Sequence, residues 1–264
     1  MKSLFVATLA GAALLAGAAA AADLPMPAPV PEYRAPAAVA PVYNWTGCYV
    51  SAGFGYGVWN QDNWTETFPG LVPINARATN GGRGWMGLAG GGCDVEIPLG
   101  GIFGNVLIGA FADYDFMNVH GQATYVGPAV PFSGFQGDQN QSSAWAAGAR
   151  IGVVITPNLL AYSNGGFTQS RFDGANLQAL GIGPVVGTTP SQTFNGWFLG
   201  GGTEYALSFN WLPIQGLFWR NEYRFSSFSA ADLPFSGLLA GGGVHQQYYE
   251  QQVLSELVWR FNWQ

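Results

Sequence analysis

The residues of this chain that could hold a proton, a metal or a partner charge are scarce. Only 9% of its 264 residues are charged. Asp94, Glu96, Asp113, Asp115, Arg150, Glu204, Arg220, Glu222, Arg224, Glu250, Glu256 and Arg260 all fall in stretches where apolar and small or polar residues alternate. Successive side chains of a strand point to opposite sides, and nearly all these charges take the side opposite the apolar one. The set holds both signs, four arginines with eight carboxylates, and a buried charge survives only when paired and hydrogen-bonded. The chemistry this predicts is a packed interior network of ion pairs. Such charges could instead line an ion path, but the interior of a barrel of eight strands is one that side chains can fill.

Other reactive types are isolated. His120 and His245 lie in different long connections, where together they could bind haem or a metal, or simply be solvated loop side chains. Cys48 and Cys93 are too few for a disulfide scaffold. Setting them opposite each other also sets 58 opposite 83, so they are either a cross-strand disulfide or two unrelated small apolar residues. Gly53, Gly55 and Gly57 alternate, but neither a lysine nor a following helix supports a phosphate-cradling loop. As inward positions they leave room for bulky partners. No Gly-x-Ser-x-Gly elbow occurs, and neither histidine has serine and carboxylate at a recognisable spacing. We therefore expect no enzyme, no catalytic residue, no metal and no cofactor; the enzymatic competitor is a lipid hydrolase or acyltransferase.

The elements that must position these residues are strands. Eight alternating stretches fall at about 48–59, 85–97, 102–116, 143–155, 159–172, 196–208, 217–225 and 248–261. Between them, long connections at 60–84, 118–142, 173–195 and 226–247 alternate with short turns at 98–101, 156–158 and 210–215. That rhythm predicts an all-β fold, an eight-stranded antiparallel up-and-down transmembrane β-barrel. One face of the third and fourth strands, including Ile108, Tyr114, Trp145 and Ile151, should meet lipid. In the fifth strand Arg171 is expected to point inward. Trp59, Trp85, Phe116, Trp145, Phe172, Trp197, Phe225 and Tyr249 flank the long connections as an aromatic girdle at one membrane–water boundary.

The chain is 48% hydrophobic and 15% aromatic with 39 glycines, far from the quarter charged residues of an ordinary soluble domain. Past the N-terminus no run of eighteen apolar residues is present, which argues against spanning helices. Residues 1–22, with Lys2, an apolar core and small residues to Ala22, read as a signal peptide. Residues 23–42 read as a proline- and alanine-rich periplasmic linker, and 43–264 as the barrel. From Asp23 onward eight arginines face fifteen carboxylates, a net charge of −7 that argues against nucleic acid. Export followed by strands that must close on themselves places the chain in the outer membrane of a Gram-negative bacterium.

The segment Ala21-Ala-Asp-Leu-Pro25, the proline linker, and Tyr43-Asn-Trp-Thr-Gly-Cys-Tyr-Val50 with its glycine-spaced aromatics resemble the small outer-membrane β-barrel proteins of alphaproteobacteria. These are the Brucella-type major surface proteins and RopB-like proteins often called a porin family. Tyr162-Ser-Asn-Gly-Gly-Phe167 and Asn221-Glu-Tyr-Arg-Phe225 are similar to that family's fifth and seventh strands. Cys48, where the family usually has an aromatic, and an ending on Gln264 depart from the pattern. The resemblance implies an OmpA-like barrel, inserted by the barrel insertion machinery among outer-membrane lipids. It implies a role in envelope integrity and surface presentation, with a narrow diffusion pore, or loops that bind haem or a host ligand, as alternatives.

Overall fold

The structure, a computed structural model, describes residues 44–100, 104–129, 132–179, 183–208 and 216–261. The expected signal peptide, the linker and the turn at 210–215 lie outside the described residues. Eleven strands are present among those described: β1 (Gly47–Thr67), β2 (Ala78–Pro98), β3 (Asn105–Ala129), β4 (Phe132–Thr156), β5 (Leu159–Phe172), β6 (Asn176–Ala179), β7 (Val185–Thr188), β8 (Gln192–Ala206), β9 (Leu217–Phe228), β10 (Ala231–Pro234) and β11 (Gly242–Phe261).

Eight of these form the wall. The order runs β3-β2-β1-β11-β9-β8-β5-β4, and pairing of β3 with β4 closes the ring. Each wall strand is antiparallel to both its neighbours. Closure leaves no open edge in the ring, so the backbone N–H and C=O groups of the wall pair within it, as a hydrocarbon environment requires. Among the described residues no helix is long and apolar enough to span a membrane.

The apolar phase lies outside. Val50, Phe54, Ile108, Ile151, Leu199 and Val253 are exposed on the barrel's outer face, which an aqueous surface would not tolerate as a continuous band. Short turns close one end: β4 and β5 are joined through Pro157 and Asn158, where the Thr156 hydroxyl donates to Asn158 Oδ1 at 2.7 Å. After β2, Gly100 has φ +68° and Gly104 φ +58°, and the amides of Leu99 and Gly100 both donate to the Gly104 carbonyl.

At the other end the expected long loops are largely sheet. β1 and β2 have 21 residues each and β3 and β4 have 25, about twice the 9–11 residues that cross a bilayer. Alternation persists there without an apolar outer side: Gln61, Asn63 and Thr65 are buried inside, while Asn60, Asp62 and Trp64 take the outer phase. Outside the bilayer nothing selects apolar residues on that face, so sheet continued by backbone pairing carries loop-like composition. Two further pieces of structure fill the remaining connections. The β6–β7 hairpin pairs with β4, and β10 pairs with β11.

Candidate functional site

The barrel's interior, where strand parity gathers the charged side chains, is layered. In the layer nearest the short turns, Glu204 is fully buried and surrounded by three arginines. Arg150 Nη1 reaches Glu204 Oε2 at 3.2 Å, Arg220 Nη2 the same oxygen at 2.9 Å, and Arg260 Nε Glu204 Oε1 at 2.7 Å. Asp94 is the second acceptor, bound by Arg150 Nε at 2.8 Å and by Arg260 Nη1 at 2.7 Å. Glu256 stands 3.7 Å from Arg220. The ring of Tyr49 lies over the guanidinium groups of Arg150, Arg220 and Arg260 at 4.6–4.9 Å, a geometry that adds cation–π attraction.

One layer up, Arg224 grips Asp113 with both terminal nitrogens, at 3.0 and 2.7 Å, and donates through Nε to Glu222 at 3.0 Å. Tyr162 donates its hydroxyl to Glu222 at 2.7 Å. Glu250 is held by amides: Gln141 Nε2 donates at 2.9 Å and Gln252 Nε2 at 3.0 Å. Above this sits an apolar plug in which Phe172 stacks on Tyr248 at 3.8 Å and Trp59 meets Phe172 edge-on at 5.9 Å. The alternating glycines make the space: a Cβ on Gly55 would fall 2.6 Å from Leu254 Cδ2, and one on Gly57 2.7 Å from Met86 Cε.

The short-turn mouth is stoppered by Trp45, which is fully buried and packs on Phe218 at 4.9 Å. Its carbonyl accepts a bond from Arg260 at 3.2 Å. Glu96, expected in the ionic network, sits at this mouth instead. It accepts from the Trp45 amide at 3.0 Å and from Asn105 at 2.5 Å, and among the described residues no ion pair reaches it. Its parity is inward, but its strand has by then reached the rim.

Three further expectations are corrected by parity. Trp59 and Phe172, expected in the girdle, are inside and almost wholly buried. Trp59 follows Gly53, Gly55 and Gly57 in phase, and Phe172 follows Tyr162, Thr168 and Ser170. Arg171, one residue from Phe172, is therefore outside, 3.8 Å from Asp173. Of the other residues expected in the girdle, Trp85, Phe116, Trp145 and Trp197 are exposed on the outer face, with Phe225 and Tyr249 half-buried. Tyr56 and Phe167 pack against two of these rings, with ring centroids 5.1 Å from Trp85 and 5.3 Å from Trp145.

Cys48 and Cys93 face each other across β1 and β2, as Val58 faces Arg83, and are joined as a disulfide. Both sulfurs lie on the outer face. The non-reduced protein should take up no maleimide after unfolding in denaturant and two equivalents after reduction. Labelling of the unfolded, non-reduced protein would show free thiols.

The two histidines do not meet. His120 faces Arg83, which is level with Val58 on β1 and Gln251 on β11. That places it three strands across and six residues down from His245, roughly 15–20 Å in each direction. His120 is exposed, 2.6 Å from Asn118 Oδ1. His245 stacks on Trp64 at 3.8 Å and bonds Asp232 at 2.5 Å. Beside it Glu66 is buried on the outer face, beneath the return of the chain through Pro73, which bridges Glu66. Burial first, and then the Asp232 carboxylate, push the Glu66 carboxyl above its usual range.

No protein-family model matches the chain. It is 29% identical over 228 residues to the 31 kDa outer-membrane immunogenic protein of Brucella melitensis biotype 1, covering 80% of this chain and 83% of that protein. Among solved structures it is similar to outer membrane protein OprG from Pseudomonas aeruginosa, at 9% identity and TM-score 0.49, covering 83% of this chain and 98% of that one. Neisserial surface protein A aligns at 11% identity and TM-score 0.35, covering 80% of this chain and 99% of the other. A ring of strands with apolar residues outward and ions within, in a homologue of the Brucella immunogenic protein, makes this chain a Gram-negative outer-membrane β-barrel protein.

Proposed function

We propose that the barrel serves envelope integrity and surface presentation, and neither conducts solutes nor catalyses a reaction. The observation that carries this reading is the filled lumen. The space left among Tyr49, Asp113, Arg220, Glu222 and Arg224 is about 10 Å³, room for at most one water. The aromatic plug above and the Trp45 stopper below add two further obstructions in series. Moving a hydrated ion past them would require breaking bidentate ion pairs in a low-dielectric interior, where an unpaired charge is costly.

The arrangement of charges supports the same reading. The interior arginines, Arg150, Arg220, Arg224 and Arg260, are spent on carboxylates and none of the four faces open solvent, unlike a substrate clamp. What remains for contact with the surroundings is the outer end, where the wall strands rise beyond the girdle and carry the β6–β7 hairpin and β10. Planar-bilayer recording of the purified protein tests the proposal. We expect a quiet baseline; steady, reproducible openings would favour the diffusion pore.

A further inference from the structure

Register brings three ligating side chains together on the outer face of the barrel's tall end. His245 on β11 stands opposite Trp64 on β1 and opposite Asp232 on β10, and Glu66 lies two residues along β1 from Trp64. One potential donor atom from each of Glu66, Asp232 and His245 lies within 4.8 Å of the others. The parallel stack of His245 on Trp64, with 9° between the planes, holds the imidazole in one orientation. The Glu66 side of the cluster is fixed as well: the Ile74 amide donates to the Thr65 carbonyl at 2.8 Å, and the Thr67 amide to that of Val72 at 3.0 Å.

The cluster is poorly balanced by itself. Glu66 is only 2% exposed, and its Oε1 has no hydrogen bond of normal geometry among the described residues, the Trp64 indole being the donor beside it. A buried acceptor so weakly served is costly, and here a second carboxylate stands beside it. The His245 and Asp232 side chains remain 21% and 33% exposed, so a solute ion can reach the cluster from outside. Neither the barrel's closure nor its ionic core uses these groups.

We propose that Glu66, Asp232 and His245 form a site for a divalent cation of the zinc type at the barrel's tall end, the end that faces the cell exterior in barrels with short periplasmic turns and longer outer loops. One imidazole nitrogen and two carboxylate oxygens match the three protein ligands zinc takes when a fourth position is left to water. Calcium and magnesium prefer all-oxygen sets, so the imidazole favours the softer ion. The cation would take the place of the hydrogen between His245 Nδ1 and Asp232, the neutral imidazole then carrying its N–H on Nε2, and would neutralise the Glu66 carboxylate. The chain's other histidine, His120, is too far away to be a ligand, and both cysteines are held in the disulfide.

Isothermal titration of zinc chloride into the full-length, tag-free protein in detergent tests the site. One saturable equivalent is expected, with affinity reduced at least about tenfold in His245→Ala and in Glu66→Gln and unchanged in His120→Ala. Heat-modifiable mobility of each variant checks that its barrel is folded. Should His245→Ala unfold, the milder His245→Gln and Asp232→Asn carry the same comparison. Absence of saturable uptake, or equal affinity in wild type and folded ligand variants, would overturn the proposal. Displacement of zinc by a hundredfold excess of magnesium or calcium would overturn the assignment of ion type.

Discussion

Glu204→Ala is expected to lower the barrel's stability by about 3–5 kcal/mol, the usual loss when one partner of a buried ion pair is removed. Three arginines lean on this one carboxylate, but they do not lose equally. Arg150 and Arg260 keep Asp94. Arg220 keeps only Glu256, at 3.7 Å, and is left as a buried cation almost without a bonded acceptor. Urea unfolding in detergent micelles, read by the shift in electrophoretic mobility, gives the loss directly. The double variant Glu204→Ala with Arg220→Met should recover part of it, because removing the stranded charge removes most of the penalty. A loss below about 1 kcal/mol would mean that Glu204 does not organise the network.

Trp59→Ala is expected to cost a similar amount, about 3–5 kcal/mol, as large aromatic truncations in packed cores do. The indole is fully buried and touches both Phe172 and Tyr248. On the β2 and β3 side no side chain is there to fall into the void, because Gly82 and Gly121 supply the floor on which it lies. A Cβ at Gly82 would come within 2.4 Å of the Trp59 ring, and one at Gly121 within 2.6 Å. Trp85→Ala is the control: that ring is 64% exposed on the outer face, so its removal leaves no cavity. Equal losses for the two tryptophans in the same unfolding assay would contradict an interior position for Trp59.

The contrast between these tryptophans shows what the sequence made legible. Wall strands and inward charges follow from period two, because lipid on one side and a narrow lumen on the other impose opposite chemistries on alternate residues. The same rule already contained the position of Trp59, since Gly53, Gly55 and Gly57 carry the inward phase straight to it. An aromatic beside a long polar stretch resembles a girdle residue just as well, and only parity separates the two. Arg171 and Phe172 are the same lesson in one dipeptide. Where lipid contact ends, the signal ends: residues such as Asn60, Gln61, Asp62 and Asn63 are polar on both faces, so sheet and loop look alike. The Glu66, Asp232 and His245 cluster was illegible for another reason. Glu66 lies 166 positions from Asp232 and 179 from His245 in the chain, and it meets them only through the pairing of β1 with β11.

That pairing reaches the length of the barrel, with Cys48 facing Phe261 and Thr67 facing Gly242. The first wall strand to leave the ribosome therefore waits roughly 200 positions for the strand that flanks it. During that interval seven strands form at most an open ribbon with two unsatisfied margins, both liable to pair with the wrong polypeptide. Long-range closure of this kind is slow, so the seam between β1 and β11 is where biogenesis has to be guarded, and a blocked or mis-registered seam is a defect that no later contact can repair.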